Sequence, residues 1–438
     1  MDISAIPEGT DTKFFVIKPN CLDSVVELLP KINNMGLPIL LVCDENTKKA
    51  AGETVEKVLK QAGVACYELL LTPGAHKVVS ADYERVLEIK KRINTLKAFP
   101  VVVGSGTLND LVKRAAFELN TPYLCVGTAS SMDGYCSFGA SLVYEGYKST
   151  MSCPPPAAVV ADTEILKAAP YDMTASGYGD LYAKLVSGID WIIADRLGIE
   201  KIHQESWDLV QKELPCWVDS PEKLKEGDDK AFHALFKGLI MTGLAMQVYK
   251  DSRPASGAEH MISHVWEMQH LSRMDGVPYS HGFKVSVGTV AIVSLMMAFF
   301  KFSTSDLSSG ACLKRRESWE SRQKSIARFF PDPNIRKTVE KNCYDKWLDD
   351  RKFIQRMEKM GQILPEIQIF AKKQLVSQEK VIEDLKKAGC PTSYKDFGLT
   401  NKELRETVMK AQMIRSRYTS LDAIYETGFL PALLDLFE

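Results

Sequence analysis

Four of the chain's seven histidines lie within residues 252–282, in the segment SRPASGAEHMISHVWEMQHLSRMDGVPYSHG. His260 and His264 are four residues apart, so on a helix they would share one face. His281 follows the turn-like residues MDGVPYS and can fold back toward the same point. A catalytic metal takes about three protein ligands and leaves one position open for substrate. The spacing alone leaves two alternatives open: a metal site, or histidines that only fill the surface and the core.

A carboxylate upstream is a further candidate ligand. Asp180 lies in the helical pattern SGYGDLYAKL, which also contains Gly177. Together with the imidazoles it would complete the ligand set of a catalytic metal. His270 lies off the face that the other two helical histidines share, and we assign it no role.

A glycine turn follows an apolar run in the segment VVVGSGTLNDLVKRAA. Gly104 and Gly106 end the run, and Thr107 starts a helical pattern. Glycine lets the backbone approach a ligand closely, and the free N–H groups at a helix start favour a phosphate. The full G-x-G-x-x-G pattern is absent because Asp110 stands where the third glycine would be. A plain strand-to-helix turn stays open as the alternative, although the carboxyl end of a central strand favours a nucleotide.

A second loop, VGTASSMDGYCS, suits the same crevice. Its small residues are Thr128, Ala129, Ser130 and Ser131. Asp133 and Gly134 are compatible with a tight turn as well as with a substrate contact. Asp44 ends the second apolar run, where a carboxylate either accepts hydrogen bonds from an adenosine ribose or caps the next helix.

The elements that must position these residues change in type along the chain. Helical patterns at 21–33, 46–62, 81–97 and 107–119 separate short apolar runs, and the pattern becomes helical throughout after residue 162. The runs are 13–17, 38–43, 64–71, 99–104 and 122–127, with further strand candidates at 139–144 and 157–161. Such alternation predicts a parallel sheet with helices on both faces. We therefore predict an α/β protein: a domain with a parallel sheet over 1–165 and an all-helical domain over 166–438.

Bulk composition excludes several classes of function. Of 438 residues, 55 are Lys or Arg and 56 are Asp or Glu, so no strong field would attract nucleic acid or an anionic membrane. No C-x-x-C motif occurs among the ten cysteines, and this pattern indicates reduced, buried thiols in a cytoplasmic protein. The N-terminal residues lack the apolar run of a signal peptide. The apolar stretch 285–300 is short for a membrane span and predicts a buried core helix.

Four blocks of this sequence together resemble the sn-glycerol-1-phosphate dehydrogenases, a branch of the glycerol dehydrogenase and iron-alcohol dehydrogenase superfamily. The blocks are GSGTLNDLVKRAA, GTASSMDGYCSFGAS, GYGDLYAKLVSGIDW and SRPASGAEHMISH with a following HG. The resemblance runs from about residue 12 to 300, with a weaker match, SRYTSLDAIYETGFL, near the C-terminus. Glycerol dehydrogenases usually read AHAIHN where this chain has the last block. The chain is longer than expected for the branch, and the surplus lies in the charged helical region after residue 305.

This resemblance implies roles for particular residues. It makes Asp180, His260 and His281 the metal ligands, and it places His264 and Asp133 against the substrate. The dinucleotide would be lined by Gly104, Ser105, Gly106, Thr107, Leu108, Thr128, Ala129, Ser130, Ser131 and Ser137. The family fold implies a Rossmann-like dinucleotide-binding domain over 1–165 and a helical metal- and substrate-binding domain over 166–438. The active site would lie in the cleft between them, and dimers are usual in the family.

The implied reaction is the reversible reduction of dihydroxyacetone phosphate by NADH or NADPH to sn-glycerol-1-phosphate. The metal, with zinc preferred over nickel or iron, would polarise the ketone oxygen. The proton would pass through either His264 or a metal-bound water. Arg253, Lys148 and Lys184 are candidates to hold the substrate phosphate, and each is also compatible with a surface charge.

Other functions share parts of this pattern. A glycerol or other polyol dehydrogenase of the same superfamily would use the same metal and cofactor. A lyase similar to dehydroquinate synthase shares the architecture and uses nicotinamide without net oxidation. A metallohydrolase would leave the glycine turn unexplained, and a non-catalytic nucleotide-binding protein would not need three converging metal ligands.

Overall fold

The computed structural model describes residues 6–74, 78–144 and 147–437, with side chains for all of these except residues 147–149. The strands are β1 (Phe14–Lys18), β2 (Ile39–Cys43), β3 (Cys66–Leu70), β4 (Phe99–Gly104), β5 (Leu124–Gly127), β6 (Ala140–Tyr144), β7 (Tyr147–Met151) and β8 (Ala158–Asp162). The helices before residue 200 are α1 (Ser24–Ile32), α2 (Glu45–Thr47), α3 (Glu53–Gln61), α4 (Tyr83–Leu96), α5 (Gly106–Glu118), α6 (Thr163–Ala168), α7 (Tyr171–Tyr182) and α8 (Lys184–Leu197).

After residue 200 the described part of the chain forms helices and no further strand. They are α9 (Gln204–Gln211), α10 (Leu214–Val218), α11 (Pro221–Lys225), α12 (Asp229–Tyr249), α13 (Ala258–Met268), α14 (His281–Phe299), α15 (Ser309–Arg315), α16 (Trp319–Phe329), α17 (Pro333–Lys346), α18 (Asp350–Leu375), α19 (Gln378–Lys387), α20 (Asn401–Met413), α21 (Ser420–Glu426) and α22 (Leu430–Leu433).

Six strands form one parallel sheet in the order β1-β8-β5-β4-β2-β3. After β2 the chain adds β3 on one side and then β4 on the other, so the winding direction reverses between β2 and β4. Because all six strands are parallel, the carboxyl ends of β2, β4 and β5 lie at the same edge. Ligands bind sheets of this kind at such a switch point.

Helices cover both faces of this sheet, which explains why its central strands are apolar throughout. On one face, Leu41 and Val101 belong to a hydrophobic cluster with Leu28 of α1 and Leu59 of α3. On the other face, where α5 packs on β4, Val102 is equally buried. The prediction of a parallel sheet covered by helices on both faces, followed by a helical region, is confirmed.

The seven strand candidates are all observed, and one strand was missed. β7 pairs antiparallel with β6 in a two-stranded sheet of its own. Its sequence, YKSTM, carries polar residues at three of five positions and so lacks the apolar run that marked the others. The predicted helix at 46–62 is present, with a π-helical turn at Lys48–Gly52 between α2 and α3.

Two helices, α12 and α14, are long and apolar enough to cross a membrane by length and composition alone. Their apolar windows are 72% and 78% buried within the fold. Burial on all sides is typical of the core helices of a folded protein. The apolar stretch at 285–300 is therefore a core helix, as its length predicted.

The chain divides into two compact units. Unit 1 comprises residues 1–181 and 205–255, and unit 2 comprises residues 182–204 and 256–438. The first division falls inside α7, one residue before its end. The expected boundary near residue 165 follows the change from strands to helices and stays a prediction about domains.

All ten cysteines are free thiols, and eight of them are buried. Burial raises the pKa of Cys43 to about 12, so this thiol stays protonated and unreactive at neutral pH. Cys216 is exposed and departs from the expectation of buried thiols.

The backbone of α7 touches the loop after β5 at a glycine. A Cβ atom added to Gly177 would lie 1.8 Å from the carbonyl oxygen of Ser130. We therefore expect Gly177→Ala to lower the free energy of unfolding by about 1–3 kcal/mol, as overpacking does. Gly310 of α15, with nothing within 4 Å of an added Cβ, is the matched control. Denaturant unfolding should show Gly310→Ala unchanged or more stable, and equal effects of the two variants would contradict the close approach.

Candidate active site

Helices α13 and α14 bring three histidines together within unit 2. α13 carries His260 and His264 one turn apart, and α14 begins at His281. The ring centroids of His260 and His281 are 5.3 Å apart, and each is 6.4 Å from the ring of His264. His260 and His264 therefore share one face of α13, and the segment MDGVPYS brings His281 back to them, as the sequence predicted.

Each of these histidines has its Nδ1 atom against a carboxylate. The distances are 2.7 Å for His260 to Glu259, 3.3 Å for His264 to Glu267, and 3.0 Å for His281 to Glu267. An ionised carboxylate only accepts hydrogen bonds, and a neutral imidazole has one donor and one acceptor nitrogen. A neutral ring in any of these three pairs therefore carries its proton on Nδ1 and its lone pair on Nε2. Metal-binding histidines are commonly held in this way.

Burial sets the charge state at this cluster. It lowers the pKa of His264 to about 4, against the opposing effect of Glu267, although 28% of the side chain stays exposed. Burial alone would raise the pKa of Glu267, but hydrogen bonds from His264 and His281 hold that pKa far below its usual range. At neutral pH the cluster therefore combines a neutral His264 with an ionised Glu267.

The turn before α13 is built around two buried carboxylates. Asp190 of α8 accepts hydrogen bonds from the backbone N–H groups of Ala258, at 2.7 Å, and Ser420, at 2.8 Å. A Cβ on Gly257 would lie 2.4 Å from Asp190 Oδ2 and 2.7 Å from Glu259 Oε2. Burial and the charge of Glu259 both raise the pKa of Asp190. Only glycine fits between these carboxylates, which explains the glycine in the SRPASG turn.

Asp180, the candidate ligand upstream, is fully buried near the end of α7. Its Oδ2 accepts a hydrogen bond of 3.0 Å from the backbone N–H of Asp133. Asp180 belongs to unit 1, and His260 and His281 belong to unit 2. One carboxylate and two imidazoles suit a divalent zinc, nickel or iron ion, and three protein ligands leave a position for substrate.

A buried lysine of α5 fixes the loop that contains Asp133. The ammonium group of Lys113 donates to the carbonyl oxygens of Gly134, at 2.9 Å, and Gly139, at 3.0 Å. It also forms an ion pair of 3.2 Å with Asp110, whose other oxygen accepts from a backbone N–H. The side chain of Lys113 is completely buried, so these groups replace its hydration.

The glycine turn and the second loop follow neighbouring strands. Gly104 and Gly127 are paired in register at the ends of β4 and β5, and the N–H of Thr128 donates to the carbonyl of Gly104 at 3.2 Å. α5 begins at Gly106, and the side chain of Ser105 does not cap it. Its first N–H groups are thus available to an anion at the switch point of the sheet.

The other candidate dinucleotide residues take distinct environments in these loops. The hydroxyl of Ser130 is buried and has no hydrogen-bond partner among the described residues, which suits a site that a bound ligand completes. Leu108 is buried and packs on Gly104, while the hydroxyl of Ser137 donates to the carbonyl of Gly134. Ala129 is buried, and Thr107 and Ser131 are half-buried.

Asp44 caps α2, which is one of the two roles open to it. Its Oδ1 accepts from the N–H of Thr47 at 2.8 Å, and the hydroxyl of Thr47 accepts from the N–H of Asp44 at 3.0 Å. This reciprocal cap fixes the carboxylate at the end of β2. A contact with a ribose stays a prediction.

Two of the three candidate phosphate ligands are interior residues. Arg253 and Lys184 are completely buried, so neither is a surface charge. The side chain of Lys148 lies outside the described part of the structure. His270 is exposed and takes a left-handed conformation, with φ of 53°, directly after α13, which agrees with its having no assigned role.

Sequence reasoning missed the acidic residues that hold the histidines. Glu259 is adjacent to His260, and Glu267 follows His264 by three residues, so both stood within reach on the same helix. A search for carboxylates at helical spacing from each histidine would have found them. Asp190 and Lys113 gave no comparable signal, because their partners are mainly backbone groups.

Comparisons with known proteins agree with this architecture. The family model described as iron-containing alcohol dehydrogenase matches residues 16–170. A glycerol-1-phosphate dehydrogenase of Bacillus subtilis (strain 168) is 32% identical over 313 residues, which are 72% of this chain and 78% of the relative. A Geobacillus thermodenitrificans (strain NG80-2) protein of the same name is 33% identical over 311 residues, 69% of this chain and 76% of the relative.

A solved structure shows the same fold over nearly the whole chain. It is a probable glycerol dehydrogenase from Sinorhizobium meliloti 1021, with a TM-score of 0.62 and 16% identity over 97% of both chains. The solved structure shows the fold, and the family model of the iron-containing alcohol dehydrogenases matches the N-terminal part of the chain. The chain belongs to the glycerol-1-phosphate dehydrogenase family.

The glycine at the start of α5 allows a direct test of dinucleotide binding. A Cβ on Gly106 would lie 2.7 Å from the terminal methyl of Met132, a flexible group that can move. We expect Gly106→Val to weaken NADH binding about tenfold or more, because a branched side chain would occupy the space of the pyrophosphate. Fluorescence titration should show the same loss in a Met132→Ala background, where the internal clash is removed. Recovery of affinity in that background would mean that Gly106 serves packing only.

Proposed function

We propose that this protein is a metal-dependent NAD(P)H oxidoreductase that interconverts dihydroxyacetone phosphate and sn-glycerol-1-phosphate. The observation that carries the proposal is the group of His260, His264 and His281 within unit 2, where the ring centroids of His260 and His281 lie 5.3 Å apart. This group occurs in a chain that is 32% identical to a glycerol-1-phosphate dehydrogenase over most of that relative's length.

Asp180 would hold the metal through a carboxylate oxygen, and His260 and His281 would hold it through their imidazole nitrogens. We assign zinc first, with nickel or iron as alternatives, because the ligands are one oxygen and two imidazole nitrogens. When bound, the metal supplies Lewis-acid polarisation of the substrate's ketone oxygen, and the nicotinamide supplies the hydride. The N–H of Asp133 orients Asp180 for this task.

His264 transfers the proton to and from the substrate hydroxyl. Its Nδ1 donates to Glu267 and its pKa is lowered, so at neutral pH the free Nε2 can accept a proton from the glycerol hydroxyl. In the reducing direction Nε2 would first take a proton from water and then give it to the oxygen that becomes the hydroxyl. We assign the carboxylate of Asp133 to a substrate hydroxyl, since its backbone already bonds the ligand Asp180.

The dinucleotide would bind at the carboxyl ends of β4 and β5. The N–H groups from Gly104 to Leu108 would hold its pyrophosphate at the start of α5. Thr128 to Ser131 and Ser137 line the other side, where the buried hydroxyl of Ser130 gains a partner. Asp44 reaches the adenosine ribose from the end of β2.

The remaining assignments concern the phosphate and the setting of the protein. Arg253, Lys184 and Lys148 are proposed to hold the substrate phosphate through charge-assisted hydrogen bonds. The protein is proposed to act as a homodimer in the cytoplasm, with a dinucleotide domain at 1–165 and a metal and substrate domain at 166–438.

Loss of one imidazole tests the metal site. We expect His281→Ala to lose bound divalent metal and nearly all turnover, because it removes one of three protein ligands. Elemental analysis after dialysis measures this loss. His270→Ala, an exposed histidine of the same segment, is the matched control and should keep its metal. Full metal occupancy in His281→Ala would refute the ligand assignment.

Substrate preference tests the function itself. Two charge-assisted contacts of roughly 1.5–3 kcal/mol each would favour dihydroxyacetone phosphate over dihydroxyacetone by about two to four powers of ten in kcat/KM. NADH oxidation with each ketone at matched concentrations measures this ratio. Equal rates would reassign the protein to the polyol dehydrogenases, and tight cofactor binding without turnover would favour a lyase.

The product of the reaction tests the stereochemistry. We expect the sn-1 phosphate, so a dehydrogenase specific for the sn-3 isomer should leave the product intact. Consumption of the product by that enzyme would refute the stereochemical assignment.

A further inference from the structure

Glu267 appears in the proposed function only as the partner of His264, yet it also contacts His281 and Lys284. Its Oε1 lies 3.0 Å from Nδ1 of His281 and 3.4 Å from Nζ of Lys284, and its Oε2 lies 3.3 Å from Nδ1 of His264. Glu267 and Lys284 are nearly buried, with 11% and 6% of their side chains exposed. One carboxylate thus serves two histidines of different function.

The two oxygens of Glu267 are divided between the two rings. Because each accepts an Nδ1–H, both rings take the same tautomer and turn their Nε2 atoms away from the carboxylate. A metal requires this lone pair on His281, and a proton acceptor requires it on His264. Glu259 does the same for His260 alone, through a contact of 2.7 Å.

The position of Glu267 in the fold links the two helices of the cluster. It lies in the last turn of α13, one turn after His264, while His281 and Lys284 form the first turn of α14. The carboxylate therefore joins the end of one helix to the start of the next. Because both oxygens belong to one carboxylate, a displacement of one ring that moves this carboxylate also moves the acceptor of the other ring.

We propose that Glu267 is a positioning residue that fixes His281 for metal binding and His264 for proton transfer at the same time. This inference rests on the proposed function, which assigns those two roles. Glu267 acts through the histidines and does not itself touch metal or substrate.

Glu267→Gln tests this arrangement without changing side-chain volume. An amide has one acceptor oxygen and one donor NH2 group, so it can accept an Nδ1–H from only one of the two rings. The other ring must face the NH2 group and move its proton to Nε2. Selective 15N labelling of histidine reports the tautomers in the metal-free protein by NMR, with signals assigned from His264→Asn and His281→Asn. Competition with a chromogenic chelator measures the affinity for Zn²⁺.

A matched control separates this effect from general destabilisation. Glu118 accepts hydrogen bonds from Tyr83, Lys90 and Arg114, and its side chain is 13% exposed, close to the value for Glu267. Glu118→Gln makes the same chemical change far from the histidines in sequence. It should leave both tautomers and the Zn²⁺ affinity unchanged.

The expected result is Nδ1–H on both rings in the wild type. In Glu267→Gln, at least one ring should switch and Zn²⁺ should bind about 10–100-fold more weakly. Nε2–H rings in the wild type would overturn the inference, as would unchanged tautomers with an affinity equal to that of Glu118→Gln. Should Glu267→Gln fail to fold, the wild-type tautomers decide alone. Absence of Zn²⁺ binding by the wild type would refute the proposed function instead, and the tautomers would still test Glu267.

Discussion

The pairing of each histidine with a carboxylate is the interaction on which the candidate site depends. An imidazole ring can rotate and can carry its proton on either nitrogen, so a bare histidine does not define a ligand direction. Glu259 and Glu267 remove both freedoms. Their own burial is costly, and it is offset by donors that the fold must supply: the N–H of Gly257 at 2.8 Å for Glu259, and Lys284 for Glu267. The turn before α13 therefore supplies a donor to Glu259, and the first turn of α14 supplies a donor to Glu267.

The loop after β5 has a comparable dependence on its neighbours within unit 1. α5 holds it through the ammonium of Lys113, and α7 holds it through the hydroxyl of Ser176, which donates to the carbonyl of Ser131 at 3.1 Å. Gly177 lets α7 approach the same backbone, and Asp180 bonds the N–H of Asp133. One loop thus connects the residues assigned to the dinucleotide with the carboxylate assigned to the metal.

The sequence predicted the features that have a local periodic signal. Apolar runs between helical patterns identified the strands of the main sheet, and the four-residue spacing identified the shared face of His260 and His264. β7 was missed because its sequence is polar and lacks an apolar run; among the described residues it pairs with β6. Glu267 stands fourteen residues from His281, and their contact depends on a chain return whose geometry the sequence does not specify. Lys113 was missed because its acceptors are mainly carbonyl oxygens, which no residue type marks.

The enclosure of Lys113 has a consequence for the thermodynamics of association. A loop whose carbonyl oxygens already surround a buried charge has few alternative conformations to lose. The entropy of ordering this segment is therefore lost during folding, before a ligand binds. More of the interaction free energy with a ligand of this loop is then left to appear as affinity, which is the advantage of a preorganised receptor.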